Sequence, residues 1–262
     1  MDSFERLNQV LDILRQECPW DRAQTIESLR YLTIEEVSEL SEAILDNQPD
    51  EIRKELGDLF MHLLFYSKIA SDRHLFTLDD VLHGICDKLM SRHPHIALPD
   101  REGRMHGGDG NETPQWEKIK MAEGRRSVLE GVPRCLPTLV KTVRMQEKTA
   151  GVGFEYASAD DALAKVREEY GELQAALAGK DETDPQPSPE VVEEFGDLLF
   201  ALVKWGGMLG INADDALARA NRKFKHRFAH VEEAARNKQT SISDLPAAEL
   251  LALWQQAKRQ ED

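Results

Sequence analysis

The 262-residue chain has few basic residues for its size, few cysteines and no long apolar segment. Acidic residues outnumber basic ones, 48 against 33, and the net charge of -15 argues against a phosphate backbone as the main partner. The three cysteines, Cys18, Cys86 and Cys135, lie far apart and outside any CxxC pair, so neither disulfides nor structural zinc is predicted. No signal core or run of about 18 apolar residues occurs. We therefore expect a cytoplasmic protein with no membrane segment.

Aromatic residues are also scarce, at 6%, whereas charged residues make up 31% of the chain. This composition suits amphipathic helices better than β-sandwiches. Apolar side chains recur at helical spacing, with turn-like or polar segments at 18–21, 98–114 and 179–189. The pattern predicts an all-α fold, and in the first half the helices cover 4–14, 28–46, 49–66 and 78–91. The second half repeats this scheme from 138 and ends with a helix over 246–259.

What the chain does have is one carboxylate pattern that occurs twice. The acids of the first copy are Glu35, Glu36, Glu39, Glu55 and Asp58, and those of the second are Glu168, Glu169, Glu172, Glu194 and Asp197. The offset is 133 residues from Glu36 to Glu169 and 139 from Asp58 to Asp197, so only loop lengths differ. An internal repeat of this length predicts two domains. We place the first domain at 1–123, a linker at 124–137 and the second domain at 138–262.

Acids three or four residues apart share a helix face, so pairing two such helices brings four carboxylates together. Four negative charges are stable together only around a cation, and hard divalent ions prefer oxygen ligands. Mg²⁺ is therefore the predicted ion, with Mn²⁺ as a substitute. A single Glu-Glu-x-x-Glu motif usually marks the solvent-exposed face of a helix, but its occurrence in both halves favours a metal site. A di-iron bundle is disfavoured because no His has Glu three residues before it.

Two glycines and a set of cations accompany the acids. Gly57 and Gly196 each lie between the Glu and the Asp of a pair. Glycine destabilises a helix interior by about 1 kcal/mol, so we expect another backbone or a ligand to approach the helix closely at these positions. Cations and a tryptophan recur as well: Lys88, Arg92, Trp116 and Lys120 reappear as Lys223, Arg227, Trp254 and Lys258. Spaced one helical turn apart, they could hold phosphates and stack on a base. No Walker loop is present, so phosphate binding would depend on the metal.

These residues resemble the MazG family of bacterial nucleoside triphosphate pyrophosphohydrolases along nearly the whole chain. The matching stretches include 18–21, 35–39, 55–58, 92–95, 152–154, 194–200 and 254–260. The resemblance implies tandem all-α MazG domains, Mg²⁺ dependence, homodimerisation and hydrolysis of nucleoside triphosphates to the monophosphate and pyrophosphate. It also implies nucleotide-pool housekeeping or stress-nucleotide regulation, and a catalytic second repeat.

With this resemblance, we expect the metal ligands to be Glu169, Glu172, Glu194 and Asp197. The expected catalytic residues are Glu168 or Glu193 as general base, with Lys223, Arg227 and Lys258. The expected nucleotide contacts are Lys165, Glu168, Glu169, Glu190, Glu193, Asp197, Lys223, Arg227 and Trp254. A second candidate site in the first repeat comprises Glu36, Glu39, Glu55, Asp58, Lys88, Arg92, Trp116 and Lys120. The alternatives are a nucleotide-sensing or partner-binding module without turnover, and a purely structural helical dimer.

Overall fold

The computed structural model describes residues 1–108, 124, 126–179 and 186–259. The chain divides into two compact units, Met1–Ile119 and Lys120–Asp262. Almost all regular structure in the described residues is helical, which confirms the predicted all-α fold. None of the described helices is both long enough and apolar enough to cross a membrane. The predicted linker over 124–137 stays a prediction.

The first unit consists of helices followed by a small hairpin. Their bounds are α1 Ser3–Glu17, α2 Pro19–Ala23, α3 Ile26–Leu45, α4 Pro49–Asp72, α5 Leu78–Arg92, β1 Leu98–Pro99 and β2 Met105–His106. The turn predicted at 18–21 is therefore mostly helical, because Pro19 occupies the first helical turn, where its missing N–H is not needed. The hairpin, which lies in the predicted loop, is closed by Asp100, whose carboxylate accepts hydrogen bonds from the backbone N–H of Glu102 and Arg104.

Helix α3 begins two residues earlier than the apolar pattern predicts, and a capping box explains why. The Thr25 hydroxyl accepts a hydrogen bond from the Ser28 backbone N–H at 3.1 Å, and the Ser28 hydroxyl accepts one from the Thr25 N–H at 2.9 Å. This reciprocal pair satisfies two N–H groups that a helix start leaves unpaired. Helices α3 and α4, separated by three residues, then pack against each other over a core of Leu29, Leu64, Phe65 and Ile69.

The second unit repeats this arrangement. Its helices are α6 Thr138–Ala150, α7 Ala159–Ala178, α8 Pro189–Met208, α9 Ala213–Asn237 and α10 Ala247–Arg259, with a short 3₁₀ turn at Ile242–Asp244. Helices α7 and α8 pack against each other as α3 and α4 do, and α6 packs on α8. Ser158 and Ser188 cap α7 and α8, and their hydroxyls accept from backbone N–H groups three residues later. The two central helix pairs therefore present the duplicated acids in equivalent positions.

Candidate active site

Three carboxylates of the second unit converge between α7 and α8. Glu169 projects from α7, while Glu194 and Asp197 lie three residues apart on α8 and share a face. One oxygen from each carboxylate lies within 4.8 Å of the other two. Glu169 is buried, Glu194 is half-buried and Asp197 is exposed. Because like charges at this distance repel, the arrangement favours a cation between them.

Glu172 and Glu193 belong to the same electrostatic environment. The pKa of Glu194 is raised above its usual value, first because partial desolvation disfavours its charged form. Four further negative groups raise the pKa of Glu194 in turn: Glu172, Glu169, Asp197 and Glu193. The structure thus brings Glu169, Glu194 and Asp197 within ligand distance of one another, and Glu172 and Glu193 lie near enough to act on Glu194 through their charge.

Lys165 provides the positive charge nearest to these acids. Its Nζ lies 2.7 Å from Oε1 of Glu168 and 2.7 Å from Oε1 of Glu169, one helical turn further along α7. The two carboxylates raise the pKa of Lys165 well above its usual value, so the ammonium is charged at neutral pH. Lys165 therefore offers a cationic donor at the edge of the acidic cluster.

A pocket of about 520 Å³ adjoins the cluster and is mostly apolar. Lys165, Glu169 and Asp197 form one side of it, and the rest of its wall includes Leu129, Met145, Gln146, Thr149, Phe154, Tyr156, Phe200, Ala201 and Lys204. Phe154 is 79% exposed as the structure stands. A cavity of this volume, with aromatic walls and a charged edge, has the size and polarity of a small-molecule site.

The position of Phe154 in the wall depends on the turn that ends α6. Gly153 has a φ of 88°, a conformation that L-residues rarely adopt, and the Phe154 N–H then donates to the Thr149 carbonyl at 3.0 Å. The aromatic wall was not predicted as a pocket. The only sequence signal for it was the stretch 152–154, which belongs to the family resemblance.

Two polar side chains of the pocket are held by defined partners. The Gln146 amide Nε2 donates to the Phe200 carbonyl at 2.8 Å, and Gln146 is only 7% exposed. Lys204 Nζ lies 2.7 Å from Glu155 Oε1, and both residues line the pocket. Sequence reasoning missed both residues, because nothing in the spacing of either one marks it as part of a site.

The remaining predicted residues lie on other parts of the second unit. Glu190 is exposed in the first turn of α8. Lys223 and Arg227 lie one turn apart on α9, and Trp254 and Lys258 one turn apart on α10, which packs against α9. The Trp254 ring contacts Phe224, with ring centroids 5.0 Å apart. Among the described residues, the wall of the pocket includes none of these five side chains.

The first unit has an equivalent acidic cluster. One oxygen each of Glu36, Glu55 and Asp58 lies within 4.8 Å of the others. The pKa of Glu36 is raised by desolvation and by nearby negative charge, and the pKa of Glu39 by desolvation and then by the charge of Glu55. Lys54 Nζ lies 3.0 Å from Glu55 Oε1.

The cations predicted around this first cluster lie on α5 or later. Lys88 is exposed and Arg92 is half-buried, and both lie near the end of that helix. Trp116 and Lys120 lie outside the described residues.

The side chains beside the two clusters differ. When the two repeats are aligned, Leu32 stands at the position of Lys165. In the same alignment His62 corresponds to Ala201, and Phe65 corresponds to Lys204. His62 and Phe65 are 4% and 3% exposed. Leu32 packs on the core around Phe65. The first unit therefore has buried aromatic rings at the positions where the second unit has Ala201 and Lys204, two residues of its pocket wall.

The close approach expected at the helix glycines is not found within the described residues. A Cβ built on Gly57 or Gly196 would have no atom within 4 Å. Both glycines therefore lie on open helix surface of the chain, and the approach of a ligand or of another chain stays a prediction.

Comparison with known families identifies this architecture. The MazG nucleotide pyrophosphohydrolase domain matches twice, at residues 24–97 and 158–232. The chain belongs to the MazG family. Each match covers the helix pair that carries one acidic cluster, so the tandem arrangement and the assignment to the acid-anhydride hydrolases are confirmed.

Two relatives are similar to the chain over nearly its full length. The chain is 36% identical to a protein of Escherichia coli named nucleoside triphosphate pyrophosphohydrolase, over 100% of this chain and 99% of that one. It is 36% identical to nucleoside triphosphate pyrophosphohydrolase/pyrophosphatase MazG of Thermotoga maritima, over 97% and 95% of the two chains. A Mycobacterium tuberculosis protein also named nucleoside triphosphate pyrophosphohydrolase is 31% identical over 60% of this chain and 48% of its own.

Proposed function

We propose that the second unit hydrolyses nucleoside triphosphates to the monophosphate and pyrophosphate. The observation that carries this proposal is the acidic cluster of Glu169, Glu194 and Asp197 at the edge of a 520 Å³ aromatic pocket. A triphosphate needs a cationic centre for its charge, and its nucleoside needs an apolar cavity beside that centre. The names of the relatives agree with this activity.

The residues present fit a divalent cation, for which we propose Mg²⁺ with Mn²⁺ as a substitute. All donors in the cluster are carboxylate oxygens, and the pKa of Glu194 is raised first by desolvation and then by the negative charge of its neighbours. We assign Glu169, Glu172, Glu194 and Asp197 as its ligands. When bound, the cation would neutralise phosphate charge and lower the pKa of a coordinated water.

The side chains around the cluster would orient the reactants. In the proposed reaction, a water oxygen bonds to phosphorus, the α–β phosphoanhydride bond breaks, and the water's proton passes to a carboxylate, Glu168 or Glu193. Lys165, with its Nζ 2.7 Å from Glu169, would exchange this partner for a phosphate oxygen. The family resemblance assigns Lys223, Arg227 and Lys258 to phosphate charge and Glu190 to the nucleotide. It also assigns Trp254 to the base or ribose, which would place the nucleoside against α10 as the alternative to the pocket.

The nucleoside would occupy the pocket next to Asp197. Phe154, Tyr156 and Phe200 offer aromatic surface there, and stacking on one aromatic side chain contributes about 1–3 kcal/mol per base. At the equivalent positions of the first unit, His62 and Phe65 are buried aromatic side chains and Leu32 replaces Lys165. We therefore assign turnover to the second unit.

The proposal is tested by identifying the products. Purified protein is incubated with Mg²⁺ and a mixture of nucleoside triphosphates, and the phosphorus-containing species are followed by ³¹P NMR. We expect monophosphate and pyrophosphate in equal amounts. Orthophosphate and diphosphate would show that another bond is cleaved. Tight nucleotide binding without any product would instead support the nucleotide-sensing module.

We also propose that the chain forms a homodimer through the apolar faces of α4 and α8. Phe195, Leu199 and Leu202 form a stripe on α8 that is 54%, 50% and 39% exposed. Leu56, Phe60 and Leu63 form the same stripe on α4 at the offset of the repeat. Apolar surface repeated in this way favours a symmetric copy of the chain as its partner. A second helix there would also approach Gly57 and Gly196.

Leu199→Asp is expected to convert the dimer to monomer. A carboxylate buried in the centre of the stripe costs about 3 kcal/mol or more, which weakens association by roughly 100-fold. Analytical ultracentrifugation over a range of concentrations measures the change. Leu209→Asp is the control, because Leu209 is 49% exposed but lies beyond the end of α8. A wild-type protein that sediments as a monomer would contradict the dimer.

A further inference from the structure

Lys148, near the end of α6, is a deeply buried charged side chain that the proposed reaction does not use. It is 5% exposed. Its Nζ donates to the Val128 carbonyl at 3.1 Å and to the Glu130 carbonyl at 3.5 Å. Burial of an ammonium group is strongly unfavourable unless hydrogen bonds replace its lost hydration. These contacts therefore hold both the lysine and the segment that carries the two carbonyls.

Val128 and Glu130 are the residues on either side of Leu129, which belongs to the wall of the pocket. The segment is a tight turn: the Ser127 hydroxyl accepts from the Leu129 N–H at 3.2 Å, and the Ser127 carbonyl accepts from the Glu130 N–H at 3.0 Å. Leu129 is 37% exposed, so its own packing secures it only in part. The ammonium group of Lys148 thus fixes the backbone before and after a pocket residue.

The effect of Lys148 on the pocket is indirect. Lys148 is not among the described residues that form the wall, whereas Met145, Gln146 and Thr149 of the same helix are. Helix α6 therefore forms one part of the wall itself and supports another part through Lys148. A wall residue that is already in place favours binding, because its ordering does not have to accompany the ligand.

We propose that Lys148 is a positioning residue that sets the affinity of the pocket for the nucleoside by holding Leu129 in the wall. This inference rests on the proposed function in one respect, namely that the nucleoside occupies this pocket. It gives Lys148 no contact with phosphate or with the reacting atoms, since the acids of the cluster lie on α7 and α8. Loss of Lys148 should therefore weaken nucleotide binding and spare the chemical step.

The experiment compares two ligands of the full chain by calorimetry in the presence of Mg²⁺. One is the α,β-methylene analogue of ATP, which cannot be cleaved at the α–β bond, and the other is tripolyphosphate, which has no nucleoside. In Lys148→Met, which keeps the apolar stem, we expect the affinity for the analogue to fall roughly 5–10-fold through loss of part of one leucine contact. The affinity for tripolyphosphate should not change. KM for ATP should rise by the same factor while kcat stays within about two-fold.

The matched control is Lys141→Met. Lys141 is on the same helix, and its Nζ donates to the Arg134 carbonyl at 2.9 Å, so this variant loses the same kind of bond away from Leu129. It should bind both ligands as wild type does. Lys148→Arg, which retains a charged donor, should recover most of the affinity for the analogue. Lys148→Gln replaces Lys148→Met if circular dichroism shows that the latter is unfolded.

Leu129→Ala shows whether Lys148 acts through Leu129. It should lower the affinity for the analogue by a similar factor, and adding Lys148→Met should lower it no further, because both changes remove the same contact. Additive losses, an equal loss for both ligands, or an unchanged affinity for the analogue in Lys148→Met would overturn the proposal. So would a wild-type chain that does not bind the analogue. Absence of pyrophosphate release by wild type would refute the hydrolysis alone, since calorimetry requires no turnover.

Discussion

Replacing Glu169 by Gln is expected to lower kcat for nucleoside triphosphates by at least about 10³-fold, equivalent to about 4 kcal/mol of transition-state stabilisation. Glu169 is the buried member of the cluster and the one that also contacts Lys165, at 2.7 Å. The substitution keeps the size of the side chain but removes the charge that would hold a cation. Steady-state release of pyrophosphate measures the effect.

The control for this substitution is Glu232→Gln, which makes the same chemical change on an exposed part of α9. It should retain wild-type turnover. Circular dichroism should show the same helix content in both variants, because Glu169 is not part of the apolar core. Substantial residual turnover by Glu169→Gln would contradict its role as a ligand. Loss of turnover in Glu39→Gln instead would place the reaction in the first unit.

Ala201→His is expected to raise KM for nucleoside triphosphates by roughly 10–100-fold while leaving Mn²⁺ binding unchanged. It places in the second unit the residue found at the equivalent position of the first, where His62 is buried. The imidazole would fill the cavity beside Phe200 and displace the base, and the loss of about 1–3 kcal/mol of stacking gives the expected range.

Nucleotide and Mn²⁺ affinities are measured separately by calorimetry. Ala201→Ser serves as the control, because it adds one oxygen and does not fill the pocket. Unchanged nucleotide affinity in Ala201→His, together with a loss in Trp254→Ala, would move the nucleoside from the pocket to α10.

The acidic clusters were predictable from sequence because a helix fixes which residues share a face. Glu194 and Asp197 had to lie together on α8, and the repeat supplied the reason to treat them as a site. The predicted helices are found for the same reason, with ends that differ by a few residues where caps such as Thr25 decide them. These features depend on local geometry alone.

The pocket was not predictable, because it depends on how separate helices align. Phe154 reaches the wall only because Gly153 adopts a positive φ after α6, and Gln146 faces Phe200 across a helix contact. The replacement of Ala201 by His62 is visible in the aligned repeats, but its effect on cavity volume requires the packed structure. The roles of Lys223, Arg227, Trp254 and Lys258 come from family resemblance, and they stay predictions.

The short connection between α3 and α4 bears on how the molecule acquires its first cluster during folding. Only residues 46–48 separate the two helices, and Asn47, with a φ of 52°, reverses the chain between them. Glu36, Glu55 and Asp58 are therefore brought together by contacts between neighbours in sequence, and such low contact order permits folding within microseconds to milliseconds. We therefore expect the cluster to form when this helical hairpin closes.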